Sequence, residues 1–251
     1  MLHDVNAFLG AWPFHLEPEL SAAQLADRLA RAGVGRAAVS PLGAVFQPEP
    51  MPANRRLFAA VRRERMLSPL PVVNPLLADW RAQLAECRDA AGVRAVRLLP
   101  NYHGYAPDAR RLDDFMAAAA TSGLRVVLTA RLEDDRQRYF GLKVKNVPLA
   151  GIGRFLKRYS DHQVLCTALS LGEILHLAAQ HRNFSADLSY AEHIALAAKL
   201  RGRMPFRRLM FGTLAPLISI PAQTSKLTHS SFTPAERQQI GSANARTFFA
   251  P

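Results

Sequence analysis

No apolar run in the 251-residue chain reaches the roughly 18 residues that a membrane-crossing helix needs. The start, Met1-Leu2-His3-Asp4, lacks the basic cluster and apolar stretch of a secretory leader, so a cytoplasmic protein without membrane contact is the expectation. Cysteine occurs only at Cys87 and Cys166, with no CxxC or Cys/His spacing, which excludes a disulfide framework and a zinc knuckle. Two buried, reduced thiols are expected instead. Lysine is also scarce: five lysines stand against 27 arginines. Acidic residues thin out along the chain, with 17 basic and 15 acidic residues up to position 136, then 15 basic and only 5 acidic. The resulting net charge of +12 bears on partners rather than on fold. Arginine beside abundant alanine also fits a GC-rich coding bias, which needs no ligand. The clusters Arg62-Arg63-Glu64-Arg65 and Arg201-Gly202-Arg203 are short and carry no interleaved aromatics, so the pattern of a nucleic-acid module is missing. Equally absent are a GxGxxG turn after the first strand, a P-loop and a GxSxG elbow. Gly151-Ile152-Gly153 lacks both the third glycine and a preceding strand, and reads as a helix start.

What is present is a rhythm. Short β-branched runs alternate with alanine-rich amphipathic stretches over the whole chain, which is 49% hydrophobic and 21% charged. Strands are predicted at Leu2 to Asn6, Arg36 to Pro41, Ser68 to Asn74, Arg94 to Leu99, Arg125 to Arg131, Gln163 to Ala168, Phe184 to Ser189 and Arg207 to Thr213. Helices are predicted at 20–32, 53–65, 78–91, 109–122, 148–159, 170–181, 190–202 and 233–249, where apolar spacing fits one buried face. Ser21, Asp79 and Thr233-Pro234 with Glu236 read as helix starts, and Gly33, Gly92 and Gly123 as helix ends. Pro216 to Phe232, with its prolines and Ser/Thr cluster, reads as the loop after strand eight. Eight βα units in a chain near 250 residues predict α/β architecture of one kind, a single (βα)8 TIM barrel over residues 1–251.

In such a barrel the chemistry lies at the carboxyl ends of the strands. Asp4, Asn6, Ser40, Asn74, Arg97, Thr129, Arg131, Thr167, Ser170, Asp187, Ser189 and Thr213 fall there. Strand alternation sets Arg97 on one face with Ala95 and Leu99, and Thr129 and Arg131 on one face with Val127. An inward Arg97 needs a carboxylate, and Asp4 and Asp187 are the candidates. The loop Pro100-Asn101-Tyr102-His103-Gly104-Tyr105 gathers an amide, two phenols and an imidazole. His103 is its candidate general acid/base, because imidazole titrates near neutrality. In Arg131-Leu132-Glu133-Asp134-Asp135-Arg136, alternating charge suits a guanidinium clamp for a carboxylate or phosphate. Arg131 continues the inward face, whereas Arg136 and Arg138 are expected outside. His3, His15, His162, His176, His181, His193 and His229 have no partner at ligand spacing, and Ser40 or Ser170 serve as nucleophiles only beside a base.

Asp4-Val5-Asn6-Ala7-Phe8-Leu9-Gly10, Val72-Val73-Asn74-Pro75, Ala95-Val96-Arg97-Leu98, Asp187-Leu188-Ser189, Phe211-Gly212-Thr213-Leu214-Ala215-Pro216 and Asn244-Ala245-Arg246-Thr247-Phe248 follow one another in an order that resembles the amidohydrolase-related family of TIM-barrel hydrolases and decarboxylases. The resemblance implies a metal-dependent hydrolase or non-oxidative decarboxylase. Its ion is held by a His-x-His pair after strand one, histidines after strands five and six, and an aspartate after strand eight. At those positions this chain has Asn6 and Phe8, Thr129 or Ala130, Thr167 or Ala168, and Leu214. Phenylalanine and leucine cannot ligate a transition metal. The expectation is therefore a barrel without metal or other cofactor. It binds a small organic anion at the mouth through Arg97, Arg131 and His103, lined by Asn6, Asn101, Tyr102 and Thr129. If it is an enzyme, His103 with Asp4 or Asp187 carries hydrolysis or C–C/C–O cleavage. The rival is a non-catalytic pseudoenzyme serving as a protein partner or scaffold, which a mouth filled by Phe8 and Leu214 would favour. A metal enzyme with an unconventional ligand set is the third reading, and a homo-oligomer stays open.

Overall fold

The structure, a computed structural model, describes residues 1–14, 19–134, 139 and 141–250. His15, Asp135, Arg136 and Arg138 lie outside the described residues. Eight parallel strands follow the expected order: β1 Leu2–Leu9, β2 Val34–Pro41, β3 Leu67–Pro69, β4 Ala95–Leu98, β5 Arg125–Thr129, β6 Val164–Thr167, β7 Phe184–Asp187 and β8 Leu209–Met210. They pair in the order β1-β2-β3 and β4-β5-β6-β7-β8. Backbone hydrogen bonds join the two sheets at both seams. Arg97 N–H donates to the Pro71 carbonyl (2.7 Å) and Val73 N–H to the Arg97 carbonyl (3.1 Å). On the other side Val5 N–H reaches the Phe211 carbonyl (3.0 Å), Leu214 N–H that of Asn6 (2.6 Å) and Phe8 N–H that of Ala215 (2.7 Å). The ring closes as a barrel.

The helices are α1 Ala22–Arg31, α2 Met51–Val61, α3 Trp80–Asp89, α4 Asp113–Thr121, α5 Leu149–Arg158, α6 Leu171–Gln180, α7 Leu196–Leu200, α8 Ile220–His229, α9 Pro234–Gln238 and α10 Asn244–Phe248, the last two joined by a π-helical turn at Gln239–Ala243. Ser21 and Thr233 form the capping boxes their spacing predicts. Gly33, Gly92 and Gly123 take the left-handed conformation that ends a helix. Two expectations are corrected. The segment 216–232 is not all loop, because α8 starts at Ile220 behind Ser219, with Pro221 in its first turn where a missing N–H costs nothing. The helix predicted at 190–202 shortens to one turn, Leu196–Leu200.

The barrel interior is layered. Val5, Ala38, Leu70, Ala95, Val127, Leu165 and Met210 make an apolar floor that Ala245 and Phe248 of α10 close from below. Above it the buried polar residues Ser40, Arg97, Thr129 and Thr167 stand two positions on along their strands, and buried Asp187 ends β7. A second apolar layer then closes the top: Phe8, Leu42, Val72, Leu99, Leu132 and Leu214, with Trp12 packed over them. Cys87 and Cys166 are free and buried on the helix side, as expected. Burial pushes the Cys87 thiol up to about 12, so neither sulfur is a nucleophile near neutral pH.

Candidate functional site at the barrel centre

Arg97 is the largest side chain that the core encloses completely. Its strand alternates, so Ala95 below and Leu99 above fix the guanidinium on the barrel axis. Nη1 donates to Asn6 Oδ1 (2.8 Å) and to Thr129 Oγ1 (3.2 Å), and Thr129 shares a 2.8 Å hydrogen bond with Thr167. The ring of Phe8 lies across its face, 4.3 Å from the ring centroid to Cζ. Among the described residues no carboxylate is hydrogen-bonded to it. Asn6 instead acts as a bridge: its Oδ1 accepts from Arg97 while its Nδ2 donates to Asp187 Oδ2 (2.9 Å).

Asp187 also accepts from Ala168 N–H (2.8 Å), a residue held at φ +58° at the end of β6. Gly212 is needed beside it, since a Cβ there would stand 2.2 Å from Asp187 Oδ2. Asp4 sits where the β1–β2 register slips, so the Asn6 N–H turns onto its Oδ1 (2.9 Å). Thr213 adds its N–H (3.0 Å) and its hydroxyl (2.5 Å). Burial raises both carboxyls, Asp4 to about 6, while these hydrogen bonds pull the other way. Burial likewise lowers Arg97 to about 9, against the opposing pull of Asp187 and then Asp4, so the guanidinium stays charged at neutral pH.

Whether these residues fit the divalent metal implied by the resemblance is decided by Arg97. A monocation built into the chain takes the acceptor that Asn6 offers, and its unpartnered atoms, Nε and Nη2, are buried N–H donors that cannot ligate a cation. Phe8 and Leu214 stand at two ligand positions, both fully buried. Among the described residues no group of three or more His, Cys, Asp or Glu could hold an ion. The set does not fit a divalent metal.

The structure brings Asp4, Asn6, Arg97, Thr129 and Asp187 together as the alternation of their strands implies, and it sets the other expected residues elsewhere. His103 turns away from the axis: its Nε2 meets the Ala44 carbonyl, an acceptor, at 3.0 Å, so that nitrogen carries the proton, and its Nδ1 is buried without a partner among the described residues. Burial lowers its pKa, opposed by the Ala44 contact. Asn101 donates to the Lys145 carbonyl (3.2 Å), and Tyr102 packs edge-on against Trp12 and Phe46. Arg131 leaves the axis as well. It pairs with Glu173 in the first turn of α6 (2.5 Å) and lies over Tyr190 (5.3 Å), lining a rim cleft of about 540 Å³ with Ser170 and Lys199. The two serines considered as nucleophiles are spoken for, Ser40 donating to the Leu70 carbonyl (2.5 Å) and Ser170 capping α6.

Above the centre, Trp12, Phe14, Phe46, Tyr102 and Tyr139 form a connected set of rings, anchored by Trp12 Nε1–H on Glu133 (2.9 Å). Five clefts of about 370 to 820 Å³ open on the described surface, and none of these five is lined by Arg97, Asp4 or Asp187. Two residues escaped the sequence reading. Phe8 is legible there as a lost ligand and as a filler of the mouth, not as the ring over a cation. Lys226, on the helix read as loop, sends Nζ to the Leu188 (3.0 Å) and Ser189 (2.9 Å) carbonyls, and burial lowers it to about 8.

The sequence profile described as amidohydrolase matches residues 6–250. No curated protein matches the chain. Among solved structures, 5-carboxyvanillate decarboxylase from Sphingomonas paucimobilis superposes with a TM-score of 0.78 at 12% identity, covering 99% of this chain and 98% of that one. A dihydroxybenzoic acid decarboxylase from Polaromonas, with bound manganese and the inhibitor 2-nitroresorcinol, gives 0.75 at 13% identity, covering 99% and 96%. An uncharacterized TIM-barrel protein from Bordetella bronchiseptica gives 0.71 at 17% identity, covering 99% of each chain. At such identities the likeness is one of fold.

Proposed function

The chain belongs to the amidohydrolase family, and from that premise we propose that it is a metal-independent member that works by binding, as a protein partner or scaffold, rather than by turnover. The observation that carries this reading is the Arg97 guanidinium, enclosed on the barrel axis between Asn6 and the Phe8 ring. A catalytic metal needs anionic or imidazole ligands and an open position for water or substrate. Here the positive charge belongs to the chain itself, and the Phe8 ring covers it. The imidazole expected to move protons is committed to a backbone carbonyl.

A second reading, a metal-independent lyase or hydrolase acting on a small organic anion, is favoured by Nε and Nη2 of Arg97, two buried donors without acceptors. Two of the solved structures with this fold are decarboxylases of aromatic acids, so those acids make the test. The purified chain is incubated with 5-carboxyvanillate and with 2,6-dihydroxybenzoate, the acid bound in another decarboxylase structure of this fold, with and without manganese, and carbon dioxide is followed. The binding reading expects no release above the protein-free control under either condition. Release that Arg97→Met abolishes would overturn it in favour of the second.

A further inference from the structure

The end of the barrel opposite the mouth holds a cleft of about 460 Å³ where the first four strands begin. His3 of β1, Arg36 of β2, Ser68 of β3 and Arg94 just before β4 line it from one side, Arg246 of α10 and the ring of Phe249 from the other. Among the described residues no carboxylate lines it. Several arginines elsewhere do have a carboxylate: Arg31 pairs with Asp27, Arg55 with Glu86, Arg81 with Asp114, Arg154 with Asp108, Arg158 with Asp113 and Arg201 with Glu236. Among the described residues Arg36 and Arg246 make no ion pair, and Arg94 reaches only the Val93 carbonyl.

His3 supplies a second and independent observation. It is 7% exposed, stacks on Phe249 at 5.9 Å, and its Nδ1 is buried with no hydrogen-bond partner. A buried polar nitrogen left unpaired costs free energy, and three guanidinium groups around one cleft repel one another. A single event relieves both: the entry of an oxyanion. Burial, then the charges of Arg36 and Arg246, push the imidazole down to about 4, so it is neutral at pH 7.

We propose that this cleft binds a small phosphorylated anion, its phosphate oxygens held by Arg36, Arg94 and Arg246 with His3 as the buried hydrogen-bonding partner. Guanidinium groups match phosphate geometry and form charge-assisted bonds with it. The Phe249 ring at the wall and the modest volume favour a small molecule over a nucleic-acid backbone, which follows exposed grooves. The site lies across the barrel from Arg97, so its test is independent of how the centre is read.

The probe is pyrophosphate, titrated calorimetrically into the parent chain, Arg246→Ala and Arg36→Glu, with the His3 ring followed by NMR over a pH series. Both substitutions are at exposed positions, and melting curves without ligand verify that the variants fold. The expected result is saturable one-to-one binding, weakened about tenfold or more in each variant, the loss of one charge-assisted contact. The His3 titration should also move upward when pyrophosphate is bound, because the anion offsets the two arginine charges. Absence of saturable binding, equal affinity in all three proteins, or an unmoved His3 titration overturns the proposal. So does binding of a duplex oligonucleotide that pyrophosphate fails to displace.

Discussion

Arg97→Met lowers the stability of the folded chain by about 3 to 5 kcal/mol at pH 8, and by much less at pH 5. Methionine fills most of the space, so the loss is one of charge and hydrogen bonding rather than of volume. At pH 8 the substitution strands Asp4 and Asp187 in the core as anions with no cation between them, and it leaves Asn6 Oδ1 without its donor. The sign follows from linkage. Asp4 already titrates near 6, raised first by burial, and removing the guanidinium raises both carboxyls further. A carboxyl raised on folding contributes stability that is complete below about pH 4 and is lost as pH rises through the folded value. The variant therefore weakens between pH 5 and 8 relative to the parent. A fall in melting temperature on the order of 10 °C at pH 8 is expected for a chain of this size. Adding Asp4→Asn and Asp187→Asn should recover most of it, because replacing a whole buried ion set costs far less than removing one partner. Equal destabilisation at pH 5 and pH 8 would mean that Arg97 matters by packing alone.

Phe8→Ala is expected to cost a similar amount, about 3 to 5 kcal/mol, for a different reason. The ring is fully buried, packs with Leu42, Val72, Leu99 and Leu214, and covers the guanidinium face. Deleting it leaves an apolar cavity with a charged floor whose Nε and Nη2 have no acceptor. Such a cavity takes a ligand of matching shape. Benzoate carries an aromatic ring of the size removed and a carboxylate that pairs with a guanidinium, so it should raise the melting temperature of the variant through mass action and leave the parent unchanged. Stabilisation of the parent to the same extent would show that benzoate reaches a site elsewhere.

The barrel is legible in the sequence because its strands are short apolar runs at regular spacing, and each expected run contains an observed strand or overlaps one. Their lengths are less legible. The run Ser68 to Asn74 pairs as a strand only over Leu67–Pro69, since Pro69 and Pro71 have no N–H to donate, and Val72 bridges Arg97 outside the named strand. The run Arg207 to Thr213 gives only Leu209–Met210 before Leu214 turns left-handed at φ +55°. α8 was hidden because its buried face comes down to Gln223 and Leu227, too sparse for a period to register. The same contrast holds at the centre. Asn6, Arg97, Thr129 and Asp187 sit on strands, where a period of two says which way a side chain points. His103, Asn101 and Arg131 sit on turns beyond the strand ends, where no period applies. Their partners, the Ala44 and Lys145 carbonyls and Glu173, come from segments 42 to 59 residues away along the chain; no local pattern encodes such contacts.

The proposed metal independence rests on the Arg97 guanidinium, a fixed charge enclosed between Asn6 and the Phe8 ring. The most direct test is equilibrium dialysis of the parent chain against manganese and against zinc at pH 7.5, followed by elemental analysis. No stoichiometric retention of either ion is expected, because a dication would have to enter beside a buried guanidinium covered by the Phe8 ring. Close to one manganese or zinc per chain, lost when Asp4 and Asp187 are both replaced by asparagine, would contradict it.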